Sequence, residues 1–147
     1  MEKIPVIIDC DPGHDDMMAL VLAYGSHALD IHAVTTVAGN NTVQNTTRNA
    51  LNVLHYIGAD EVPVAMGYQD PMVRSHAQQI ENLAASRRKL RPAPKAEEGQ
   101  KVTGAAVHGK SGMDGFVFPE ENPKEAETLR SVEMMVKVLR ESEQSVV

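Results

Sequence analysis

Eight residues, Asp9-Cys10-Asp11-Pro12-Gly13-His14-Asp15-Asp16, place four carboxylates between two apolar runs, residues 4–8 and 17–23. The first run is short and rich in β-branched residues and reads as a buried strand; the second reads as a buried helix. Pro12-Gly13 marks the sharp turn between them. Negative charge is thereby gathered at the carboxyl end of a strand, where open α/β sheets put their ligand sites. Such a cluster repels itself unless a cation neutralises it or some members keep their protons. A hard cation with oxygen ligands, Ca²⁺ or Mg²⁺, suits it. Acidic residues at a helix start are often only caps, but capping accounts for two of the four at most. An EF-hand loop does not fit, because Leu20 stands at the twelfth position counted from Asp9.

The pattern downstream repeats the same alternation. Residues 31–37 read as a second strand, 43–57 as an amphipathic helix closed by Gly58, and 62–65 as a short third strand. Strands alternating with helices of these lengths predict an α/β fold, an open and mainly parallel sheet with flanking helices. Residues 76–107 lack clear periodicity and hold a basic run, Arg87-Arg88-Lys89, so they read as a lid-like insert, with helix possible over 78–90. A last helix is expected to start at Asn122-Pro123 and to turn Ala126, Leu129, Val132, Val136 and Leu139 inward. Val146-Val147 reads as the start of a further strand, so the sheet is expected to be truncated.

Composition narrows the classes. A net charge of −6 argues against a nucleic-acid partner. Cys10, the single cysteine, excludes an intrachain disulfide and a multi-cysteine zinc site. No secretory leader or membrane-length apolar run is evident, so no membrane association and a cytoplasmic location are expected.

The segment IPVIIDCDPGHDDMMALVLA at residues 4–23 resembles the start of the inosine-uridine-preferring nucleoside hydrolases. TTVAGN at 35–40, TTRNAL at 46–51 and HGKSGM at 108–113 extend the resemblance. It covers about residues 4–73 and resumes at His108, which makes the whole chain the N-terminal part of one nucleoside hydrolase domain with a Rossmann-like core. The resemblance implies hydrolysis of the N-glycosidic bond of ribonucleosides, with Ca²⁺ holding the ribose hydroxyls and a water. By motif match, Asp11 would ligate Ca²⁺ and act as general base, and Asp16 would be a second ligand. Asp15 would hydrogen-bond a ribose hydroxyl, Asn40 would line the sugar pocket, and Asp9 would orient its neighbours from behind. His108 would be a further catalytic candidate, on the nucleobase side. A homodimer or homotetramer is implied as well.

The chain departs from the family pattern at Lys110, where glutamate is usual, at His14, where an aliphatic residue is usual, and in the length of the insert. The family's other metal ligands lie later in a longer chain, so this polypeptide is expected to be weakly active or inactive alone. A non-catalytic fragment or interaction module that keeps the fold is the first alternative. A phosphatase of the haloacid-dehalogenase type also places two aspartates two apart after a strand, but Pro12-Gly13 and the lack of a later lysine motif oppose it. His27, His32, His55 and His76 have no partner legible in the sequence, and Met17, Met18, Met134 and Met135 read as core filler.

Overall fold

The computed structural model describes residues 3–70, 105–118 and 122–147. Asp70 apart, these belong to one unit, Met1–Gln69 with Thr103–Val147. Strand β1 (Ile4–Cys10), helix α1 (His14–Gly25), strand β2 (Leu29–Thr36), helix α2 (Val43–Tyr56) and strand β3 (Val64–Met66) alternate along the chain. A single turn, α3 (Ala105–His108), and a longer helix, α4 (Ser131–Glu141), follow. Among the described residues the strands form one parallel sheet in the order β1-β2-β3. Cys10 pairs with Thr36, and Thr36 with Met66, so the three carboxyl ends finish level. The register slips between Val6 and Ile7, which leaves His32 as an extra residue in β2.

Both faces of the sheet are covered, as a parallel sheet requires. Ile8, Cys10, Val34 and Val64 pack with Leu20 of α1 and Ala50, Val53 and Leu54 of α2. Ile7, Ala33 and Ala65 pack instead with Met134 and Val138 of α4. α2 starts at Thr42, whose hydroxyl accepts the Asn45 N–H at 3.3 Å. It ends at Gly58, with the Gly58 and Ala59 N–H groups donating to the His55 and Leu54 carbonyls. The chain's last residue extends the sheet beyond β1. Val147 N–H donates to the Pro5 carbonyl and the Ile7 N–H donates to the Val147 carbonyl, the bonding pattern of a parallel neighbour.

Two expectations need correction. α1 is not a buried helix: it fully buries Leu20 alone, and Met18 and Leu22 are 56% and 69% exposed. Met18 is therefore not core filler. Apolar residues encircle α1, but a helix lying on a sheet can bury only one stripe. The last helix starts at Ser131, not Asn122. Asn122 instead accepts the Lys124 N–H with its own side chain at 2.8 Å, a local turn that competes with helix. The following residues run past β3, where Glu127 N–H donates to the Val64 carbonyl. The helix begins where the Glu133 carboxylate accepts the Arg130 N–H at 2.7 Å. Its sheet-facing residues are Met134 and Val138, while Val132, Val136 and Leu139 stay exposed. His32 and His55, whose partners the sequence does not show, lie near the surface beside Asp30 at 3.1 Å and Asp60 at 2.8 Å. The insert expected at 76–107 and the helix expected at 78–90 lie outside the described residues, except for the start of α3. Among the described residues no helix is long and apolar enough to cross a membrane.

Candidate functional site

The acidic turn lies where β1 gives way to α1, and four segments converge on it. Asp9 is still on the strand. Its carboxylate accepts the Thr35 hydroxyl at 2.7 Å, which ties it to β2. Asp11 lies just past the end of β1. Its Oδ2 accepts the backbone N–H of Asn40 at 2.6 Å, and the Asn40 side-chain amide donates back to the Asp11 carbonyl at 3.0 Å. The loops after β1 and β2 are thus bonded to each other twice. Gly39 permits this approach, because a Cβ there would lie 2.1 Å from Asp11 Oδ2.

Asp15 and Asp16 occupy the first turn of α1, where the helix dipole favours negative charge. Burial nevertheless pushes the Asp16 carboxyl above its ordinary range, and Asp11 and then Asp15 push it further. Backbone N–H groups of Gly13 and Asp11 oppose that rise. Cys10 is buried beneath the same charges. Burial first, then Asp16, Asp9 and Asp11, push its thiol up to about 12, which removes it as a nucleophile near neutral pH.

The segment 108–114 docks against this turn. His108 Nδ1 accepts the backbone N–H of His14 at 3.2 Å and lies 3.1 Å from the His14 ring Nδ1. His108 Nε2 lies 3.8 Å from Asp15 Oδ1. No side chain fits between the two segments, since a Cβ on Gly13 would come within 2.8 Å of the His108 ring. Asp114 closes the loop on itself: its carboxylate accepts the Lys110 N–H, the Ser111 N–H and the Ser111 hydroxyl at 2.8, 3.0 and 2.6 Å. The Ser111 hydroxyl first, then the two N–H groups, hold the Asp114 carboxyl down at about 2.

Asn49 and Asp114 are the residues that sequence reasoning passed over. Asn49 is buried on α2 and donates from one amide nitrogen to the Pro12 carbonyl at 3.0 Å and the Ser111 carbonyl at 3.1 Å. The signal was a polar residue on the inward side of an amphipathic helix, inside TTRNAL. Asp114 left only a weak trace, an acid three residues after Ser111, because its role depends on a loop conformation.

The family described as inosine-uridine preferring nucleoside hydrolase matches residues 6–147. The chain belongs to that family. Pyrimidine-specific ribonucleoside hydrolase RihA of Photobacterium profundum is 39% identical over 142 residues, covering 97% of this chain and 37% of that protein. RihA of Escherichia coli O1:K1 is 39% identical over 144 residues, covering 97% and 38%. Among solved structures, the plant nucleoside hydrolase PpNRh1 aligns with TM-score 0.72 and 26% identity, over 99% of this chain and 38% of that one. A purine-preferring ribonucleoside hydrolase from Gardnerella vaginalis shares the fold, with TM-score 0.71 and 22% identity over 97% of this chain and 38% of its own. The chain thus spans a little over a third of the length of these relatives.

For a nucleoside hydrolase chain, the fit to a divalent cation is mixed. The donor chemistry suits it: Asp11 and Asp16 are hard oxygen ligands whose mutual repulsion a cation would relieve. The donor number does not, because among the described residues no three His, Cys, Asp or Glu side chains meet around a common point. Asp11 and Asp16 would by themselves supply only part of a coordination shell.

Proposed function

We propose that this chain carries the ribose side of a ribonucleoside hydrolase, which breaks the N-glycosidic bond with water to give ribose and free base. The observation that best supports this reading is the double hydrogen bond between Asp11 and Asn40 at the carboxyl end of β1, in a chain of this family. Asp11 Oδ2 is taken by the Asn40 N–H, so Oδ1 is the oxygen that removes a proton from the attacking water. The water oxygen bonds to the anomeric carbon as the C–N bond breaks; the base leaves with the electron pair and takes a proton from solvent, to which Asp11 returns the one it removed. The sugar passes through an oxocarbenium-like state, which the neighbouring carboxylates Asp15 and Asp16 stabilise. Asp15, exposed at the rim, accepts from a ribose hydroxyl, and Asn40 lines the sugar. Asp9, fixed by Thr35, holds the strand end in place. His108 lies on the nucleobase side.

Ca²⁺ held by Asp11 and Asp16 would neutralise their charge and acidify the water when bound. A proton on Asp16 competes with the cation, so calcium affinity falls as pH drops through the raised Asp16 pKa. The RihA relatives are named pyrimidine-specific, which makes uridine and cytidine the first substrates to test. The same reading carries a homodimer or homotetramer in the cytoplasm.

A second reading is favoured by the incomplete donor set: a fragment that keeps the fold and part of the cation site without turnover. Calorimetric titration of the chain with Ca²⁺, alongside Asp11→Asn and Asp16→Asn, separates the two when combined with hydrolysis assays on uridine, inosine and p-nitrophenyl riboside. Hydrolysis abolished by Asp11→Asn supports the enzyme. Calcium binding without hydrolysis supports the fragment. Absence of calcium binding by the unmodified chain overturns the cation site in both.

A further inference from the structure

We propose that Asn41, Asn45 and Asn49 are positioning residues for His108: a row of side-chain amides along α2 holds the loop 108–114 by its carbonyls and so sets where His108 stands beside the acidic turn. Asn45 and Asn49 lie one turn apart on α2, and Asn41 continues the row ahead of the cap residue Thr42. Asn41 Nδ2 donates to the Lys110 carbonyl at 3.1 Å, and Asn45 Nδ2 lies 3.5 Å from the same oxygen. Asn49 Nδ2 donates to the Ser111 carbonyl at 3.1 Å and to the Pro12 carbonyl at 3.0 Å. A carbonyl can only accept, so each amide must turn its nitrogen to the loop. The Asn41 amide is fixed from its other end as well, because its Oδ1 accepts the Thr42 N–H and the Asn45 amide, both at 2.9 Å.

The loop is shaped to be held in this way. Gly109 and Gly112, at φ +81° and +86°, flank Lys110 and Ser111. The N–H groups of those two residues go to the Asp114 carboxylate and their carbonyls go to α2, so all their main-chain polar groups have partners. Gly112 lies directly against the row: a Cβ there would stand 3.0 Å from Asn49 Nδ2 and 3.3 Å from Asn41 Cβ. Met113 beside it is buried in the core shared with α2.

The consequence reaches the site through His108. Its carbonyl accepts the Asp114 N–H at 2.9 Å, so it moves with the loop it opens. Its ring meets Gly13 on the acidic turn, and its Nε2 stands 3.8 Å from Asp15 Oδ1. The turn and the loop share one nitrogen of Asn49, which makes α2 the frame that fixes one against the other. The row is built of amides, which do not titrate, so its grip does not depend on the protonation of the carboxylates nearby. That the ligand at this rim is a nucleoside rests on the function proposed above; the seating of His108 does not.

The test is proton NMR of the 147-residue chain, reading the nuclear Overhauser cross-peak between the His108 Cε1 proton and the Gly13 Cα protons, with His108→Gln to assign the ring signal. Asn49 is buried and its loss endangers the fold, so the variant is made at Asn41. Asn41→Asp keeps both bonds that Oδ1 accepts and removes only the donor to Lys110. Gln44→Glu places the same charge on an exposed position of the same turn. The cross-peak is expected in the unmodified chain and in Gln44→Glu. In Asn41→Asp it is expected to be lost, with amide exchange at Gly112 and Asp114 ~10-fold faster and α2 amides still protected. A cross-peak absent from the unmodified chain, kept in Asn41→Asp or lost in Gln44→Glu overturns the proposal, as does loss of α2 protection together with the cross-peak. Uridine is then added: it should shift the His108 ring signal of the unmodified chain and not that of Asn41→Asp. A shift that survives Asn41→Asp overturns the positioning role. No shift in the unmodified chain counts against the nucleoside reading and leaves the cross-peak to decide the row of amides.

Discussion

Helices α1 and α2 leave neighbouring strands and pack with the same side of one sheet, yet they meet their surroundings in opposite ways. α2 is amphipathic and buries eight of its 14 residues, among them Leu51, Val53 and Leu54. α1 is more apolar and fully buries only Leu20. Hydrophobic content therefore says less about burial than its match to a contact stripe. α2 is built for packing along its length. α1 contributes at its first turn, where Asp15, Asp16 and the His14 N–H face the site, while Leu22 and Met18 contribute little to the described core. The polar groups divide in the same sense. Asn49 of α2 reaches back to secure the turn that starts α1, so the well-packed helix holds the chemically equipped one in place.

The largest expected effect is on the α2 core. Leu54→Ala should cost about 3 kcal/mol, with Leu20→Ala similar, whereas Leu22→Ala should stay within about 0.5 kcal/mol in urea unfolding. A Leu22→Ala cost equal to that of Leu54→Ala would break the contrast and mean that the exposed face of α1 is covered in solution. Next comes Asn49→Ala, which strips a donor from the Pro12 and Ser111 carbonyls. It should cost about 1–3 kcal/mol and loosen both the acidic turn and the 108–114 loop in hydrogen exchange. If only α2 loosens, Asn49 serves its own helix and does not bridge to the site.

A smaller, local effect concerns Asp114. Its folded pKa, about 2, lies below the ordinary 3.8, so its contribution to loop order is complete above the latter and lost as pH falls toward the former. Amide exchange at Lys110 and Ser111 should rise across that window, and Asp114→Asn should remove the pH dependence. The smallest effect is expected at Cys10, under the start of α1. At about pH 8 a maleimide should label it in urea but not in the folded chain. Because its folded pKa, about 12, lies above 9.0, its neutral thiol supports the fold below the lower value, and that support fades as pH rises toward the higher one. Rapid labelling of the folded chain would show that the β1–α1 junction opens more readily than its burial implies.

Much of this protein was legible from local pattern. The β-branched runs and the helical periodicity of α2 report directly on strand and helix, because each residue's preference is set within a turn or a pleat. The acidic motif with TTVAGN marked the ends of β1 and β2 as the candidate site. The start of α4 was not legible: Asn122 has the chemistry of both a helix cap and a turn, and its place beside α2, bonded to Asn52, selects the turn. Nor was His14, which reads as an ordinary variation until the loop 94 residues later is brought against it.

The sequence by itself determined the alternation of strands and helices, the charge at the end of β1 and the family to which the chain belongs, since these depend on residue type and short spacing. Only the tertiary structure decided which face of each helix is covered, which oxygen of Asp11 is occupied, and that His14, Asn49 and Asp114 fasten a distant loop to the acidic turn. Those outcomes come from hydrogen bonds and packing between residues far apart in the chain, whose partners no local pattern specifies.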